Sequence, residues 1–234
     1  MNFVSYWNSC RFANWLVNGQ KTGAQDASTT ERGAYTLDGY NGNDGRTIQR
    51  NAGATWAVTS EDEWYKAAYY DPNKAGGAGY WLYPTRSDTA PANQVLSTDP
   101  GNSANYYIYF PNGYPNAYGI SSIGSPYYRT NVGEFENSAS AYGTFDQGGN
   151  VREWTEGIVA QGVSGLDTYV TRATRGGSCF DVERVLRASF IDDNMPTSQA
   201  AYFGFRVSYV PEPSSIIALL GGLVGLLGIR RRKA

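Results

Sequence analysis

The sequence predicts a loop-rich domain that contains both helices and short strands. Two segments, residues 5–17 and about 61–70, have helical patterns with capping signals, and residues 56–58 and 204–207 have the composition of buried strands. The 234-residue chain also carries 28 glycines, 19 tyrosines and 6 tryptophans. This composition is typical of a compact domain whose core is filled by aromatic side chains rather than by aliphatic layers. The length allows one sizeable domain or two small ones.

The first predicted helix covers residues 5–17. Ser5 can cap its first turn, and Gly19 follows its end. Beyond it the chain is rich in turn residues, with a short strand predicted at residues 35–37 before a turn at residues 38–39. One face of the helix, at spacings of four, three and four, is formed by Tyr6, Cys10, Ala13 and Val17.

The second predicted helix follows the strand at residues 56–58. Ser60 and Glu63 have the spacing of a capping box, in which each side chain bonds the other residue's backbone N–H. The acids in the first turn, Glu61 to Glu63, complement the helix dipole. We therefore expect a structural role for them rather than a ligand site.

Residues 74–130 are the least regular part of the chain and the richest in tyrosine. Flat amphipathic rings offer contact area together with a polar group, so these tyrosines could line a sugar-binding face. The alternative, which we favour for most of them, is that they pack the loops together.

The segment Ala141–Glu156, AYGTFDQGGNVREWTE, is the one around which we expect the domain to be organised. Asp146 and Glu153 lie seven positions apart across a glycine turn, and Asn150 can bond neighbouring backbone amides. A hard cation such as calcium would suit these oxygens. The alternative is that the two acids only satisfy buried turn amides, and both interpretations stay open. The residues expected to supply core bulk are Tyr142, Phe145, Val151 and Trp154.

Composition excludes several classes of function. The net charge of −2, with mixed signs, gives no basic footprint for nucleic acid. Histidine is absent, which removes Ser-His-Asp catalysis and every histidine-ligated metal site. Two cysteines, Cys10 and Cys179, could form one disulfide, although we interpret Cys10 as buried packing. Five arginines between residues 172 and 206, with acids nearby in sequence, are expected to form ion pairs.

Four segments together resemble the formylglycine-generating enzyme family, also called the sulfatase-modifying factor domain. They are FVSYWNSCRFANWL (3–16), WAVTSEDEWYKAA (56–68), AYGTFDQGGNVREWTE (141–156) and the blocks from TRGGSCF to FGFRV (174–207). The resemblance implies an α+β, C-type-lectin-like fold with long loops over residues 1–209. Family members normally carry more strand-forming sequence before this point, and residues 1–3 begin no signal peptide, so we expect a truncated start.

The resemblance also implies calcium sites. Calcium would be held by oxygen atoms of side chains and backbone carbonyls, at the organising segment and in GNSANYY (101–107). The first implied set is the side chain of Asp146, the carbonyls of Gly149 and Val151, and the side chain of Glu153. The second is the side chain of Asn105 and the carbonyl of Tyr106.

The enzymes of the family oxidise a substrate cysteine to formylglycine with oxygen and copper(I), held by two cysteines shortly after a Gly-Gly-Ser element. Here the segment reads GGSCFDVERVLRAS, in which Cys179 is the one cysteine and Asp181 stands at a position of the catalytic pair. Copper(I) requires soft thiolates, so we expect no copper and no catalysis. The lack of histidine likewise argues against the iron-dependent sulfoxide synthases that share the fold.

The C-terminus closely resembles the PEP-CTERM sorting signal, which exosortase recognises in Gram-negative bacteria. The motif is Val210, Pro211, Glu212 and Pro213, followed by an apolar run at 216–229 and four basic residues. A helix of this run would span ~21 Å, short for a bilayer core of ~30 Å, so we expect residues 214–229 to reach the membrane with help from flanking residues. The resemblance implies a 210–234 sorting and anchor segment, export, membrane association and cleavage near the motif; an ordinary tail anchor is the alternative.

These observations favour an exported, envelope-associated bacterial protein whose domain binds a surface ligand, either a polysaccharide or a protein, without catalysis. The first alternative is a formylglycine-generating oxidase acting on a substrate cysteine. The second is a structural surface protein with no ligand.

Overall fold

The regular structure of the protein consists of two α-helices and eight strands in the computed structural model, which describes residues 1–96, 98–108, 123–164 and 167–210. Most of the remaining described chain forms turns and loops. In chain order the elements are α1 (Tyr6–Val17), β1 (Trp56–Val58), α2 (Glu61–Tyr69), β2 (Tyr70–Asp71), β3 (Gly79–Tyr80), β4 (Arg152–Ser164), β5 (Asp167–Arg175), a 3-10 helix (Glu183–Leu186), β6 (Asp192–Asn194), β7 (Phe203–Phe205) and β8 (Val207–Tyr209). The predicted loop-rich α+β fold is confirmed.

The chain forms two compact units. The first consists of the described residues within 1–9, 40–47 and 58–206, and the second of residues 10–39, 48–57 and 207–210. Each unit draws its segments from distant parts of the sequence.

The first unit is built on a four-stranded sheet with the strand order β6-β5-β4-β7. The long strands β4 and β5 form an antiparallel hairpin, while β7 runs parallel to the start of β4, with Arg152 opposite Phe203. A two-stranded ribbon, β2–β3, follows α2. The core of this unit is aromatic, as the composition predicts. Its largest fully buried side chains include Trp7, Trp64, Trp154, Tyr6, Tyr69 and Tyr83.

Side-chain hydrogen bonds and an ion pair connect the loops of the second unit. Asn14 Oδ1 accepts the backbone N–H of Tyr35 at 2.7 Å. Its Nδ2 donates to the carbonyl of Tyr35 at 3.0 Å and to that of Thr30 at 2.7 Å. Arg11 and Glu31 form an ion pair at 2.6 Å. Strands β1 and β8 form a two-stranded sheet.

The predicted helices and their caps are confirmed. Ser5 Oγ accepts the N–H of Asn8 at the start of α1, and Gly19 after its end has φ +75°. The capping box of α2 is complete: Ser60 Oγ accepts the Glu63 N–H at 3.1 Å, and the Glu63 carboxylate accepts the Ser60 N–H at 2.8 Å. Local side-chain chemistry therefore fixes both helix starts.

Two strand predictions are corrected. Residues 35–37 form no strand, because both backbone groups of Tyr35 are bound by the side chain of Asn14. Residues 204–207 form the ends of two strands rather than one, β7 and β8, with Arg206 between them. The predicted C-terminal helix lies outside the described residues.

Candidate functional site

The backbone of the organising segment Ala141–Glu156 is held by close approach to another loop. Gly149 has φ +76°, and a Cβ there would lie 2.1 Å from the carbonyl oxygen of Asn105. That same carbonyl accepts the N–H of Asn150 at 2.7 Å. A side chain at residue 149 would therefore clash with backbone that cannot move aside easily.

Asn150 joins the segment to a loop twenty residues earlier. Its Oδ1 accepts the backbone N–H of Thr130 at 3.1 Å and the side-chain amide of Asn105 at 3.3 Å, while its Nδ2 donates to the Thr130 carbonyl at 3.2 Å. The prediction that Asn150 bonds its own neighbours is therefore wrong. The sequence could not show that a loop 20 residues earlier and Asn105 supply these partners.

Glu153 lies at the start of β4 and is almost fully buried. Its carboxylate accepts the indole N–H of Trp64 at 2.6 Å and the Nη2 of Arg206 at 2.7 Å, and Arg206 Nε binds the same group. Arg206 also donates to the carbonyl of Phe145 at 3.1 Å. The charge of Glu153 is thus paired within the domain.

Asp146 is the less satisfied of the two acids. It sits at φ +57° and accepts the backbone N–H of Gly133 at 2.7 Å. Burial raises the pKa of the Asp146 carboxyl above its usual value; the Gly133 N–H and the charge of Arg206 oppose this, while the charges of Glu153 and Glu134 add to it. Among the described residues, the Gly133 N–H is the one hydrogen-bond donor to this carboxylate, and no ion pair joins it to an arginine or lysine.

A cleft of about 360 Å³ opens above the segment. Its charged lining combines two arginines and two acids, and apolar side chains form the rest of the wall together with a few amides and hydroxyls. The residues that line it are Met1, Asn2, Arg129, Thr130, Val132, Phe145, Asp146, Asn150, Val151, Glu153, Phe205 and Arg206. Such a lining suits a polar ligand with some apolar surface.

The predicted core residues of the segment divide into two groups. Trp154 is fully buried, donates to the Val4 carbonyl and stacks on Phe203, but Tyr142 and Phe145 are exposed. The prediction that these two supply core bulk is wrong. Phe145 lines the cleft instead, because the positive φ of Asp146 turns the chain beside it.

The structure brings part of the predicted calcium set together. Asp146, Val151 and Glu153 line the cleft, and Gly149 lies buried against Asn105. In the described part of the chain no group of three or more Asp, Glu, Cys or His side chains is arranged to hold a metal ion. Calcium at this site would therefore depend on two carboxylates and backbone carbonyls.

The second predicted set lies in a different environment. Asn105 Nδ2 donates to the carbonyl of Tyr128 at 2.9 Å, and the carbonyl of Tyr106 accepts the Asn93 side chain at 2.7 Å. Tyr106 lines a separate pocket of about 280 Å³. These two residues stay a prediction.

Asp181 stands where the resemblance places one of the two catalytic cysteines. Its carboxylate belongs to an ion-pair network. Asp181 binds Arg152 through both guanidinium Nε (2.8 Å) and Nη2, and accepts the N–H (2.9 Å) and hydroxyl (2.7 Å) of Ser178. Arg152 also pairs with Asp192. These bonds hold the pKa of Asp181 below its usual value in spite of burial.

Both cysteines are buried and free of disulfide bonds. The prediction of Cys10 as buried packing is confirmed. Burial raises the pKa of the Cys179 thiol to about 11, with the nearby charge of Arg129 opposing the shift. This thiol is therefore protonated at neutral pH.

The expected ion pairs of the closing segment are confirmed in part. Arg175 pairs with Glu61, Arg187 with Glu183 and Arg206 with Glu153. The guanidinium of Arg172 instead donates to backbone carbonyls of residues 156 and 45. The sequence did not identify Arg129 and Trp64 as site residues. The pattern of α2 indicated only that Trp64 belongs to the core.

The sorting motif begins at the end of the described chain. The Val210 N–H donates to the Thr55 carbonyl at 2.7 Å, and Pro211, Glu212 and Pro213 lie outside the described residues, as does the predicted anchor at 214–229. Within residues 1–210, as far as they are described, no helix has the length and apolar character needed to cross a membrane.

The PEP-CTERM protein-sorting motif matches residues 210–233. This motif implies an exported, envelope-associated protein that exosortase processes near the C-terminus. The predicted localisation is thereby confirmed.

Comparisons with known proteins support the fold. The crystal structure of CarF is similar at a TM-score of 0.51 and 19% identity, covering 89% of this chain and 67% of that one. Treponema denticola variable protein 1 is similar at a TM-score of 0.50 and 14% identity, covering 88% and 69%. Comparison with curated proteins gives no match. The family model described as the sulfatase-modifying factor enzyme 1-like domain matches residues 1–209, and the chain belongs to this family.

Proposed function

We propose that this protein is an exported surface protein whose sulfatase-modifying-factor-like domain binds a ligand of the cell envelope and catalyses no oxidation. One observation carries the proposal: Asp181, at a position where the family's oxidases place a copper-binding thiol, is held by Arg152 and Ser178. A hard, ion-paired carboxylate replaces a soft donor there.

The residues present do not fit copper(I). Copper(I) prefers soft sulfur ligands, and Cys179 is a buried thiol whose raised pKa keeps it protonated. Between residues 176 and 192 the sequence offers no second cysteine. No step of oxidation is therefore derived for this domain.

The test combines copper(I) binding with product analysis. The full chain, solubilised in a mild detergent, is titrated with copper(I) and incubated with oxygen, reductant and a sulfatase-motif cysteine peptide. We expect no tight copper site and no aldehyde by mass spectrometry. A formylglycine-generating oxidase of the family, treated in parallel, is the positive control. Tight binding together with stoichiometric aldehyde would instead establish the alternative, an oxidase of an unusual type.

The ligand in this proposal is a polysaccharide in preference to a protein. The cleft is small and places arginines and acids beside apolar side chains, and several tyrosines lie at the surface. A small cleft of mixed polarity and exposed aromatic rings suit sugar units better than a flat protein surface. A protein ligand, or no ligand, would appear as a glycan array without hits.

Calcium at the organising segment is part of the proposal. The Asp146 carboxylate accepts the Gly133 N–H and forms no ion pair among the described residues, and it shares the cleft with Glu153 and Val151. Calcium accepts carboxylate and carbonyl oxygens in flexible arrangements. It would have to share Glu153 with Arg206 and Trp64, which hold that carboxylate now. We therefore propose a structural ion that steadies the loop.

A further inference from the structure

Four tyrosines form a surface cluster around one lysine, away from the cleft lining. We call this cluster the aromatic patch. Its rings come from α2, from the β2–β3 ribbon and from the organising segment. Its members are Tyr65, Lys66, Tyr70, Tyr80 and Tyr142.

The rings lie side by side because of local structure. Tyr70 and Tyr80 are directly opposite in the antiparallel β2–β3 pair, so both side chains leave the same face. Their ring centroids are 5.2 Å apart, and the ring of Tyr65 lies 5.2 Å from that of Tyr80. Three tilted rings therefore form a continuous surface.

Lys66 adds a positive charge to this surface. Its ammonium lies 5.9 Å from the ring centroid of Tyr70 and 6.0 Å from that of Tyr142, within the range of cation–π attraction. In the part of the chain that the structure describes, no carboxylate pairs with Lys66. Lys74, by contrast, is bound to Asp88.

The patch is supported from beneath. The guanidinium of Arg175 lies 5.3 Å from the ring centroid of Tyr65 and is fixed by Glu61 and the Ala188 carbonyl. Tyr69, on the inner side of α2, is buried and donates to the Leu186 carbonyl at 3.0 Å. Rings that are already fixed by their neighbours lose little conformational entropy when a ligand binds.

Packing does not account for the exposed rings. Tyr80 is 51% exposed and Tyr142 is 48% exposed. Buried tyrosines such as Tyr69 and Tyr106 donate their hydroxyls to backbone carbonyls, whereas no hydroxyl partner occurs for the four patch tyrosines among the described residues. Contiguous exposed aromatic surface commonly marks a binding site.

We propose that the aromatic patch binds an acidic polysaccharide, and this inference rests on the proposed ligand-binding function. The apolar faces of sugar rings pack on the tyrosine rings, and sugar hydroxyls bond the free phenol hydroxyls. A carboxylate on the polymer pairs with Lys66. Three adjacent rings and one unpaired cation fit successive units of a uronic-acid chain better than a neutral polymer.

The experiment uses the full chain in mild detergent with polygalacturonate as the acidic probe and dextran as the neutral probe, followed by calorimetry. We expect polygalacturonate to bind and dextran to bind at least about tenfold more weakly. Tyr80→Ala and Tyr142→Ala should each weaken polygalacturonate binding by about three- to tenfold. Tyr80→Phe, which keeps the ring, should lose less than Tyr80→Ala.

Lys66→Gln tests the charge separately. We expect it to remove the preference for polygalacturonate over dextran, and to make the residual binding less sensitive to salt. Tyr127→Ala and Lys21→Ala are matched controls, because each removes an exposed side chain of the same type outside the patch. Thermal unfolding verifies that every variant is folded.

Two results would overturn the inference in different ways. If patch variants bind like the wild type while Val132→Glu at the exposed rim of the cleft abolishes binding, the ligand occupies the cleft and only the patch assignment fails. If the wild type binds neither polymer, the proposal of an acidic polysaccharide ligand is wrong. The proposed ligand-binding function would then hold only if the same chain captures a surface protein instead.

Discussion

Asp146 and Asp181 are two partly buried aspartates of the same unit with opposite electrostatic surroundings. Asp181 receives a guanidinium, a hydroxyl and a backbone N–H, and its pKa is lowered. Asp146 receives one backbone N–H, lies near the charge of Glu153, and has a raised pKa. Arg206, whose charge lowers the pKa of Asp146, is already bound to Glu153.

The difference separates an acid that is paired with an arginine from an acid that accepts a single backbone N–H. The charge of Asp181 is matched by the guanidinium of Arg152, so removing that arginine would leave an uncompensated, partly buried charge. An acid left with a single N–H carries an electrostatic cost that a bound cation or cationic ligand group would relieve. In our proposal the organising segment is the part of the domain that accepts a ligand, whereas Asp181 is held in an ion pair.

The largest expected effect tests the backbone that holds Asp146 in place. Gly149→Ala should destabilise the protein by more than about 3 kcal/mol, because its Cβ would overlap the Asn105 carbonyl at a positive φ. Gly143→Ala is the matched control: its φ is +74° and a Cβ there meets no atom within 4 Å. Its cost should be limited to ~1–2 kcal/mol from the backbone conformation alone. Urea unfolding measures both; equal costs would show that the contact with Asn105 is unimportant.

The second effect concerns the ion pair. Arg152→Ala should destabilise the protein by ~2–3 kcal/mol at neutral pH, because Asp181 and Asp192 would keep their charges without the guanidinium that pairs with both. The loss should shrink in acid. The lowered pKa of Asp181 gives stability that is present above its unfolded value, near 3.9, and is lost as pH falls through the folded value.

Arg32→Ala is the control for this comparison, because Arg32 pairs with Asp38 at an exposed site. It should change stability little. If Arg152→Ala and Arg32→Ala change the free energy of unfolding equally across the pH range, the ion pairs of Asp181 contribute no net stability. Asp146 and Asp181 would then differ in their contacts but not in their contribution to stability.

The sequence was sufficient to predict features that depend on near neighbours. Ser60 and Glu63 predict a capping box from their spacing alone, and the structure has it. The motif order likewise identified the family and the sorting signal. Each of these signals is carried by residues that are close together in sequence, so its pattern can be recognised along the chain.

The candidate site was predicted less completely because its partners come from distant segments. The chain separates Asp146 from Gly133 by 13 positions and Glu153 from Arg206 by 53. The interpretation of residues 35–37 as a strand failed for the same reason, since Asn14, 21 positions away, binds that backbone. Sequence patterns gave the type of each residue but not the pairing of charges.

The smallest expected effect bears directly on Asp146. Asp146→Asn removes the buried charge while keeping an oxygen that can accept the Gly133 N–H. Without calcium, we expect it to raise stability by about 0.5 kcal/mol at neutral pH, a value reduced for partial exposure. The raised pKa means that the wild type loses stability as pH rises from the unfolded value near 3.9 through the folded value. The gain should therefore vanish at a pH of about 3, where both states are protonated.

Calcium should reverse the sign of this effect. With millimolar calcium the wild type should gain thermal stability by mass action on the folded state, and Asp146→Asn should lose most of that gain because it removes one of two carboxylates. Glu134→Gln is the matched control, since it also removes a nearby charge that raises the pKa of Asp146 but belongs to no proposed ligand set. Equal calcium responses in all three proteins would contradict the proposed ion and leave Asp146 free for a cationic group of another ligand. Thus Asp146→Asn decides whether the Asp146 carboxylate binds a metal ion or is available only to a cationic group of a ligand in the cleft.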